Sequence, residues 1–511
     1  MNPHPLRRVG WLLNAALATL LVATTIRFLD QSLFALRYPY DLDYGEGIVW
    51  QQMLMIPGGQ MYGDITRFPY IVFHYPPVFH LAVRVVAELG LDGLVAGRIV
   101  SIMSTLSMAG LMGAVGYRAM PAAAGLQVRW FVGFLAAALP LASPAVFLWA
   151  PLMRVDMPAM ALVYAGILAG ALAPGRHAWL VVSGLFFVAA VYTRQTALAA
   201  PAATFGVMLL VTPGPAIRAA LVAGVTAVAI LVGMSWLTDG GFLRHLVSYN
   251  INRFDLLRGL GHAFYVVLGN LALVIAALVA AVFALRELRR RAGLIQHLRE
   301  DTGARLRMIL IVYALLTSGM LPMLGKSGAS VNYWIEWVCA VSLLAALLVG
   351  WCAAALRNLP ADARPHLALL LAPALLIIQC VSTLPRAHGV AAPTPALMAL
   401  EAELRADVRP AIGDVMVLMV RAGSGVVWEP AIFAELASLG RWDEAPLLAM
   451  LDRHAFAMVV TVGDRGSFPY DSRYTPTISD AIQRNYPRRE VLGVLVVRRP
   501  PLAVDQRAAL P

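Results

Sequence analysis

The sequence predicts a mainly α-helical, polytopic transmembrane bundle followed by a small soluble α/β domain. The first observation is composition, because 60% of the residues are hydrophobic and only 14% are charged, at a mean hydropathy of +0.72. So much apolar surface does not fit inside one water-soluble core, so lipid is the expected solvent for most of the chain. The second observation is a series of long apolar runs. The third is a change of character near residue 386, where charged residues become frequent.

The apolar runs are free of Asp, Glu, Lys and Arg and are long enough, or nearly so, to cross about 30 Å of hydrocarbon. They predict about eleven transmembrane helices in a domain that covers residues 1–385. The runs are 9–26, 99–117, 130–153, 157–175, 178–193, 195–217, 219–238, 259–285, 308–325, 337–356 and 366–385.

Orientation follows from the basic loops. The short apolar segment 68–83 contains two adjacent prolines and is predicted to be an interfacial or re-entrant helix that does not span. With that assignment the densest basic segment, 286–307, faces the cytoplasm, in agreement with the positive-inside rule. We therefore expect a bacterial inner-membrane protein with a cytoplasmic N-terminus and a first outer loop at about residues 27–98. The tail, 386–511, is then extracytoplasmic.

The tail is predicted to be an α/β domain because short β-like runs alternate with helical stretches. The β-like runs are 415–420, 455–462 and 491–497.

Two classes of partner or ligand are disfavoured. The formal net charge of +11 does not indicate nucleic acid, because the basic residues punctuate apolar runs as loop anchors do. The three cysteines lie inside apolar runs without metal-ligand spacing, so neither a disulfide framework nor a zinc site is predicted.

Three carboxylates, Asp41, Asp43 and Glu46, lie within six residues of the first outer loop. For any one of them, a solvated loop or a helix N-cap explains the residue at least as well as catalysis does. A functional site is favoured by other polar residues on the same face. Arg154 and Asp156 lie between two apolar runs, where charge is costly and tends to be functional.

Three cations are expected at headgroup depth on the outer face: Arg154, Arg194 and Lys326. Arg194 is also explained by interfacial snorkelling, and the glycine-containing loop around Lys326 lacks the spacing of a nucleotide-binding loop. Together these cations are suited to bind the phosphate of a lipid-linked sugar and to stabilise charge on the leaving phosphate. A nearby carboxylate is suited to deprotonate an acceptor hydroxyl.

The order of these motifs resembles the GT-C type membrane glycosyltransferases, relatives of protein O-mannosyltransferases, aminoarabinose transferases and oligosaccharyltransferase catalytic subunits. The resemblance covers roughly the first 340 residues. It is carried by the acidic motif 41–46, the Tyr-Pro-Pro segment 75–77, the Arg-x-Asp turn 154–156, the pair Arg194-Gln195 and the Asn-Tyr-x-x-Glu stretch 332–336.

The resemblance implies an inverting transferase that moves a sugar from a polyprenyl-phosphate or polyprenyl-diphosphate to a hydroxyl of a glycan, lipid or protein. It implies that Asp43 is the general base, with Glu46 and Asp41 as alternates because the usual adjacent Asp-Glu pair is absent. Asp156 would orient the acceptor, or join Asp43 in holding Mg²⁺ or Mn²⁺, which only some members need. The residues expected to line the site are His74, Tyr75, Gln195, Asn332, Tyr333 and Glu336.

Two other classes of protein stay open. A transporter or flippase of a lipid-linked glycan would also have many helices and embedded charges, but it predicts inverted repeats and helices broken at the midplane. A non-catalytic scaffold predicts nothing special about Asp43 or Arg154. The acidic motif directly after the first helix favours the transferase over both.

Overall fold

The computed structural model describes residues 5–250, 252–290, 293–359 and 366–502. The chain is mainly helical, and its four-stranded sheet lies between residues 412 and 499. By length and composition, six of the described helices can cross a bilayer, as in a multi-pass membrane protein. The six are Leu6–Arg37, Gly93–Ala119, Pro213–Leu237, Leu271–Arg289, Thr302–Gly325 and Val331–Arg357.

The part of the chain up to residue 385 holds seventeen α-helices among the described residues. They are α1 (Pro5–Arg37), α2 (Glu46–Leu54), α3 (Val78–Ala87), α4 (Gly93–Ala119), α5 (Leu126–Ala138), α6 (Pro144–Trp149), α7 (Asp156–Ala171), α8 (Ala178–Val191), α9 (Ala199–Val211), α10 (Pro213–Leu237), α11 (Gly241–Leu243), α12 (Leu256–Gly269), α13 (Leu271–Arg289), α14 (Leu294–Glu300), α15 (Thr302–Met320), α16 (Ile335–Arg357) and α17 (Ala368–Ser382).

Burial separates the centre of the bundle from its lipid-facing rim. The most apolar stretch of the α16 span is 83% buried, whereas that of α10 has a mean hydropathy of 2.1 and is 0% buried. An apolar helix with no buried face is stable only where lipid covers it. Helix starts are set locally: the side chains of Asp92, Asp255 and Asp301 accept hydrogen bonds from the first-turn N–H groups of α4, α12 and α15.

Arginines close the end of the bundle opposite to the first outer loop. Arg305 donates to the carbonyl of the last residue of α7, and Arg307 donates to that of α4. These carbonyls have no partner within their own helices, so the guanidinium groups satisfy them. The basic segment 286–307, of which 291 and 292 lie outside the described residues, is therefore at the far end from the acidic motif. Its cytoplasmic orientation stays a prediction.

Two predicted spans are interrupted near their middle. The run 130–153 is interrupted by a 3₁₀ turn at Pro140–Ala142, where proline cannot donate to the helix ladder. The run 259–285 is divided at Asn270, and the Gln379 side chain donates to the carbonyl just before the break at 2.7 Å. The count of eleven crossings stays a prediction.

The C-terminal part holds six helices and four strands, with the strand order β1-β2-β4-β3. Strand β1 runs parallel to β2, and the other pairs are antiparallel. The elements are α18 (Thr394–Ala406), β1 (Ile412–Gly413), α19 (Met416–Arg421), α20 (Pro430–Ser438), α21 (Ala445–Asp452), β2 (Val459–Val462), α22 (Phe468–Asp471), α23 (Pro476–Asn485), β3 (Arg488–Leu492) and β4 (Leu495–Arg499).

Two of the β-like runs need correction. The run 415–420 is wrong as a strand, because it forms the helix α19 with its apolar side chains buried. The run 491–497 is not one strand but the turn of the β3–β4 hairpin with its flanking residues. Apolar runs this short do not distinguish a buried helix from a buried strand.

The tail packs directly on the first outer loop. The backbone N–H of Tyr70 donates to the carbonyl of Val427 at 2.8 Å, and the Tyr40 hydroxyl donates to Glu401 at 2.7 Å. The segment 68–83 is therefore helical only from Val78 onward, since its first part pairs with the tail. A boundary at 385/386 between two separate domains stays a prediction.

Candidate active site

The site residues predicted from sequence stand on separate connections at the loop-bearing end of the bundle. Asp43 lies between α1 and α2, Arg154 between α6 and α7, Arg194 between α8 and α9, and Lys326 just before α16. Each connection turns the chain back at the same end of the bundle. The fold therefore brings together residues that are nearly 300 positions apart in the sequence.

Asp43 and Arg154 form a partly exposed ion pair. Arg154 Nη1 lies 3.4 Å from Asp43 Oδ2, with side-chain exposures of 13% and 22%. The same oxygen accepts the N–H of Gly45 at 2.9 Å. The guanidinium lies flat against Gly45, where a Cβ would collide with it, and its carbon is 4.9 Å from the centre of the Trp149 ring. Arg154 Nε has no hydrogen-bond partner among the described residues, so the pair is incompletely satisfied.

Asp156 is fully buried and organises its neighbours. It accepts hydrogen bonds from Trp149 Nε1 at 2.6 Å and from Asn332 Nδ2 at 3.1 Å, and it lies 3.3 Å from Arg194 Nε. Arg194 also donates to the carbonyl of Asn332. A carboxylate held by three donors has little freedom to orient an acceptor. The structure therefore assigns Asp156 to the placement of Arg194 and Asn332.

His74 is the point at which several site residues meet. Its carbonyl accepts hydrogen bonds from Gln195 Nε2 at 2.9 Å and from Asn250 Nδ2 at 3.1 Å. Asn250 Oδ1 in turn accepts from Lys326 Nζ at 3.2 Å. On its other side, His74 Nε2 lies 3.5 Å from Oε2 of Glu429, a residue of the tail. The tail is thus part of the site.

Burial and the cations set the protonation of this pair. Burial, with Arg154 and Lys326 nearby, lowers the pKa of His74 to about 3, so its ring is neutral. Burial raises the pKa of Glu429 to about 8 against the opposing effect of Arg154, so Glu429 is mostly protonated at neutral pH. Burial also lowers the pKa of Lys326. A neutral histidine and a protonated acid form an uncharged contact, so neither side chain adds a charge beside Arg154 and Lys326.

Tyr75, Tyr333 and Glu336 are the remaining predicted residues. The backbone carbonyl of Tyr75 accepts a hydrogen bond from the Tyr62 hydroxyl. The Tyr75 side chain interacts electrostatically with Arg154 and Arg194. Tyr333 interacts electrostatically with Tyr75 and Arg194. Glu336 is only 6% exposed and interacts electrostatically with Arg194 from within α16. All three side chains therefore interact electrostatically with Arg194.

The structure disfavours Glu46, an alternate base, as the catalytic residue. It is fully buried and accepts four hydrogen bonds, from Arg98 Nε and Nη2 and from the backbone N–H groups of Leu42 and Met153. Burial by itself raises the pKa of Glu46, but Arg98 outweighs it and the pKa lies below its ordinary value. All its acceptor capacity is used, so it cannot take a proton from a substrate.

Asp41, the other alternate, faces the tail. Its Oδ1 accepts the backbone N–H of Val417 at 3.1 Å, and its Oδ2 is buried without a hydrogen-bond partner in the described part of the chain. Burial raises the pKa of Asp41 well above its ordinary value. Of the three carboxylates in the motif, Asp43 is therefore the one that pairs with a site cation.

Comparison with known proteins gives a structural likeness and no sequence match. No protein-family model and no curated protein matches the chain. ArnT from Cupriavidus metallidurans bound to undecaprenyl phosphate is 16% identical with a TM-score of 0.49, covering 93% of this chain and 97% of that one. The Archaeoglobus fulgidus oligosaccharyltransferase in its apo form is 10% identical with a TM-score of 0.55, covering 92% of this chain and 72% of that one. The chain has the GT-C fold.

The divalent cation that some relatives need, with Asp43 and Asp156 as its ligands if it is present, stays a prediction. In this structure each of the two carboxylates is paired with an arginine. The described residues contain no group of three or more His, Cys, Asp or Glu placed to hold a metal ion. Mg²⁺ is usually bound through one or two carboxylates together with waters and substrate phosphates.

Sequence reasoning missed several residues of the GT-C site. Arg98 had a usable signal, since it stands at the start of an apolar run just as Arg154 does. Asn250 is a single uncharged residue between two apolar runs, which carries no signal of its own. Glu429 and Arg473 had no local signal, because only the docking of the tail places them near Asp43 and His74.

Proposed function

We propose that the chain is an inverting glycosyltransferase that uses a polyprenyl-phosphate or polyprenyl-diphosphate sugar and a hydroxyl acceptor on the extracytoplasmic face. The observation that carries the proposal is the incompletely paired Asp43–Arg154 pair, with Arg194 and Lys326 nearby, at one end of a GT-C fold. The oligosaccharyltransferase with the same fold supports the enzyme class.

The donor phosphate is assigned to Arg154, Arg194 and Lys326. Arg154 has a buried Nε without a hydrogen-bond partner among the described residues, and Lys326 donates to a neutral amide oxygen at 3.2 Å. A phosphate oxygen accepts strong, charge-assisted hydrogen bonds from such groups. These cations also stabilise the negative charge that develops on the departing phosphate.

The polyprenyl chain is assigned to an apolar groove of about 420 Å³ between α12, α13, α15 and α16. Its walls include Phe264, Leu278 and Leu315, which are exposed on the bundle surface, and Leu344. The groove reaches Leu321 and Pro322, just before Lys326 in the sequence. A lipid with its tail in this groove would have its phosphate near that lysine.

The reaction then follows from the positions of the charged groups. Asp43 accepts the proton of the acceptor hydroxyl while that oxygen attacks the anomeric carbon, and the bond from the anomeric carbon to the phosphate oxygen breaks. Attack opposite to the leaving phosphate inverts the anomeric configuration. Arg154 pairs with Asp43 in this structure, so a phosphate that binds Arg154 weakens that pair and makes the carboxylate more basic.

The test is transfer of radiolabelled sugar by the full-length protein in lipid nanodiscs. Donors are a panel of polyprenyl-phosphate and polyprenyl-diphosphate sugars, with and without EDTA. Asp43→Asn is compared with Asp64→Asn, a control that changes an exposed carboxylate of the same loop. Transfer by the wild type and by Asp64→Asn, but not by Asp43→Asn, is expected. Equal transfer by Asp43→Asn contradicts the base assignment, and donor binding with movement across the bilayer but no transfer favours the flippase.

A further inference from the structure

A second cavity lies between the first outer loop and the tail, and Asp43 belongs to its wall. Its volume is about 300 Å³. Aromatic, acidic and basic side chains line it, with the loop and the tail both contributing. The acidic, basic and aromatic lining residues used below are Tyr38, Asp41, Asp43, Tyr44, Asp414 and Arg473.

The cavity occupies a position that the sheet topology favours for ligands. Strands β1 and β2 are parallel, and Asp414 and Val415 follow directly after β1, while Val462 ends β2. All three residues line the cavity. In open α/β sheets, ligands bind beyond the carboxyl ends of parallel strands. Gly413 has φ of 137°, and a side chain there would collide with the β2 backbone, so this end of β1 is closely paired.

Several polar atoms on the cavity wall are buried without a hydrogen-bond partner in the described ranges. They are the Tyr38 hydroxyl, Asp41 Oδ2 and Asp414 Oδ1. Asp414 is only 2% exposed, and its Oδ1 lies 3.3 Å from Arg473 Nη1 without hydrogen-bond geometry. Buried polar groups are almost always hydrogen-bonded in folded proteins. These atoms therefore indicate a polar ligand that both donates and accepts hydrogen bonds.

An aromatic surface completes the wall. The Arg473 guanidinium carbon lies 4.1 Å from the centre of the Tyr44 ring, and the Tyr44 hydroxyl accepts the backbone N–H of Ala431 at 3.1 Å. The loop tyrosine and the tail arginine are thus held in place by contacts across the junction. Acids next to a guanidinium suit a ligand that carries several hydroxyl groups, because hydroxyls both donate to carboxylates and accept from arginine.

We propose that this cavity binds the acceptor, that the acceptor is a carbohydrate, and that the tail supplies its recognition through Asp414 and Arg473. The assignment rests on the proposed function in taking Asp43 as the base. An acyl lipid would leave the acids buried against hydrocarbon without partners, which is costly. A cavity of about 300 Å³ is at the lower limit of small-molecule sites and suits one or two sugar rings better than a folded peptide segment.

The geometry gives Asp43 two sides. On one side it pairs with Arg154 in the cation cluster, and on the other it lines the cavity that the tail closes. A donor phosphate on the cations and an acceptor hydroxyl in the cavity would both approach this carboxylate. The base then lies between the two substrates, as direct transfer requires.

Gly389 allows a direct test of the cavity. It lines the cavity, and no atom lies within 4 Å of the position that a Cβ would take, so a side chain can be added there without a backbone clash. Gly389→Trp should obstruct the cavity, whereas Gly389→Ala should not. Gly58→Trp, on an exposed part of the first loop, controls for an added indole. Arg473→Lys is a second variant that keeps the charge near Asp414 but loses the planar group over Tyr44.

The full-length protein in nanodiscs is assayed for binding of three probes: polyprenyl phosphate, a panel of labelled manno-, galacto- and arabino-oligosaccharides, and a serine-containing peptide. We expect at least one oligosaccharide to bind. Gly389→Trp and Arg473→Lys should weaken that binding about tenfold or more, and polyprenyl phosphate affinity should not change in either. Gly389→Ala and Gly58→Trp should match the wild type. A melting curve checks that each variant is folded. If Gly389→Trp does not fold, the result for Arg473→Lys tests the proposal.

The outcomes separate this inference from the proposed function. Binding of the peptide in place of sugars, no sugar binding at all, or sugar binding that neither variant weakens would overturn the carbohydrate assignment, whatever polyprenyl phosphate does. Sugar binding that both variants weaken supports it, even if Asp43→Asn keeps wild-type transfer. That last result would remove only the assigned role of Asp43 as the base.

Discussion

Two carboxylates of the first outer loop are each paired with an arginine, and the two pairs differ in how completely their hydrogen bonds are satisfied. Glu46 and Arg98 are both fully buried, 2.7 Å apart, with further hydrogen bonds from backbone groups. Asp43 and Arg154 are partly exposed and 3.4 Å apart. The two carboxylates are three residues apart in the sequence and have the same charge, yet only one of them is free to react.

The saturated pair positions the incomplete one. Glu46 accepts the backbone N–H of Leu42, which precedes Asp43, and that of Met153, which precedes Arg154. Arg98 in turn donates to the carbonyls of Ala35, Tyr38 and Tyr40. A buried charge pair with full hydrogen bonding thus fixes the backbone on both sides of the reactive pair. A buried charge pair whose hydrogen bonds are all made indicates a structural role, whereas an incompletely hydrogen-bonded pair beside a cavity indicates a reactive site.

The largest expected effect is on transfer by Asp43→Asn. Loss of a general base lowers turnover by about 10²–10⁴-fold, and the amide keeps the acceptor atom for the Gly45 N–H. The melting temperature should therefore stay near that of the wild type. Single-turnover transfer with bound donor measures the effect. A variant that turns over within a few-fold of wild type would mean that the incomplete pair is not the reactive one.

The next largest effect is on stability, by Glu46→Gln. It leaves Arg98 buried without a counter-charge, which costs about 3–5 kcal/mol. Thermal unfolding in detergent, followed by loss of the monodisperse peak, measures it. Glu88→Gln breaks an exposed pair with Arg84 in the same loop and should change stability by less than about 0.5 kcal/mol. A stable, fully folded Glu46→Gln protein would contradict the structural role.

Arg154→Gln should weaken polyprenyl-phosphate binding more than it lowers the free energy of unfolding. A charge-assisted hydrogen bond contributes about 1.5–3 kcal/mol, which corresponds to a loss of affinity of about 10–150-fold. Adding Lys326→Gln should weaken binding further. The control is Arg67→Gln, since the Arg67 side chain is 86% exposed in the same loop. Unchanged affinity in the double variant would remove the cations from the donor site.

The smallest expected effect concerns pH and the contact between Glu429 and His74. Because the pKa of Glu429 is raised from 4.5 to about 8 in the folded protein, its contribution to stability is full below pH 4.5 and is lost as pH rises to about 8. His74 acts in the opposite sense, with stability lost as pH falls from 6.5 towards 3.

The Glu429→Gln variant isolates the contribution of Glu429 to stability. Between pH 6.5 and 8 the wild type should lose at most about 2 kcal/mol of stability from this group, and the Gln variant should lose less. Melting temperatures across that range measure the difference. Parallel curves for the two proteins would show that Glu429 is ionised in the folded state.

The sequence by itself determined the membrane class and the end of the bundle at which the polar motifs meet. Hydropathy and charge placement are local properties, and the GT-C resemblance was carried by motifs in the first 340 or so residues, which the structure brings to one end. The breaks at Pro140 and Asn270 were beyond its reach, because an apolar run does not record where a neighbouring side chain satisfies a broken helix.

Only the tertiary structure distinguishes Asp43 from Glu46. The two lie three residues apart in one motif, and the difference between them depends on Arg98 in α4 and on Arg154 just before α7, which reach the loop from distant parts of the chain. It also brought Glu429 and Asp414 of the tail to the site, since contacts between distant segments leave no periodic pattern in either. A carboxylate's role is set by the number of donors around it, and that number exists only once the chain has folded.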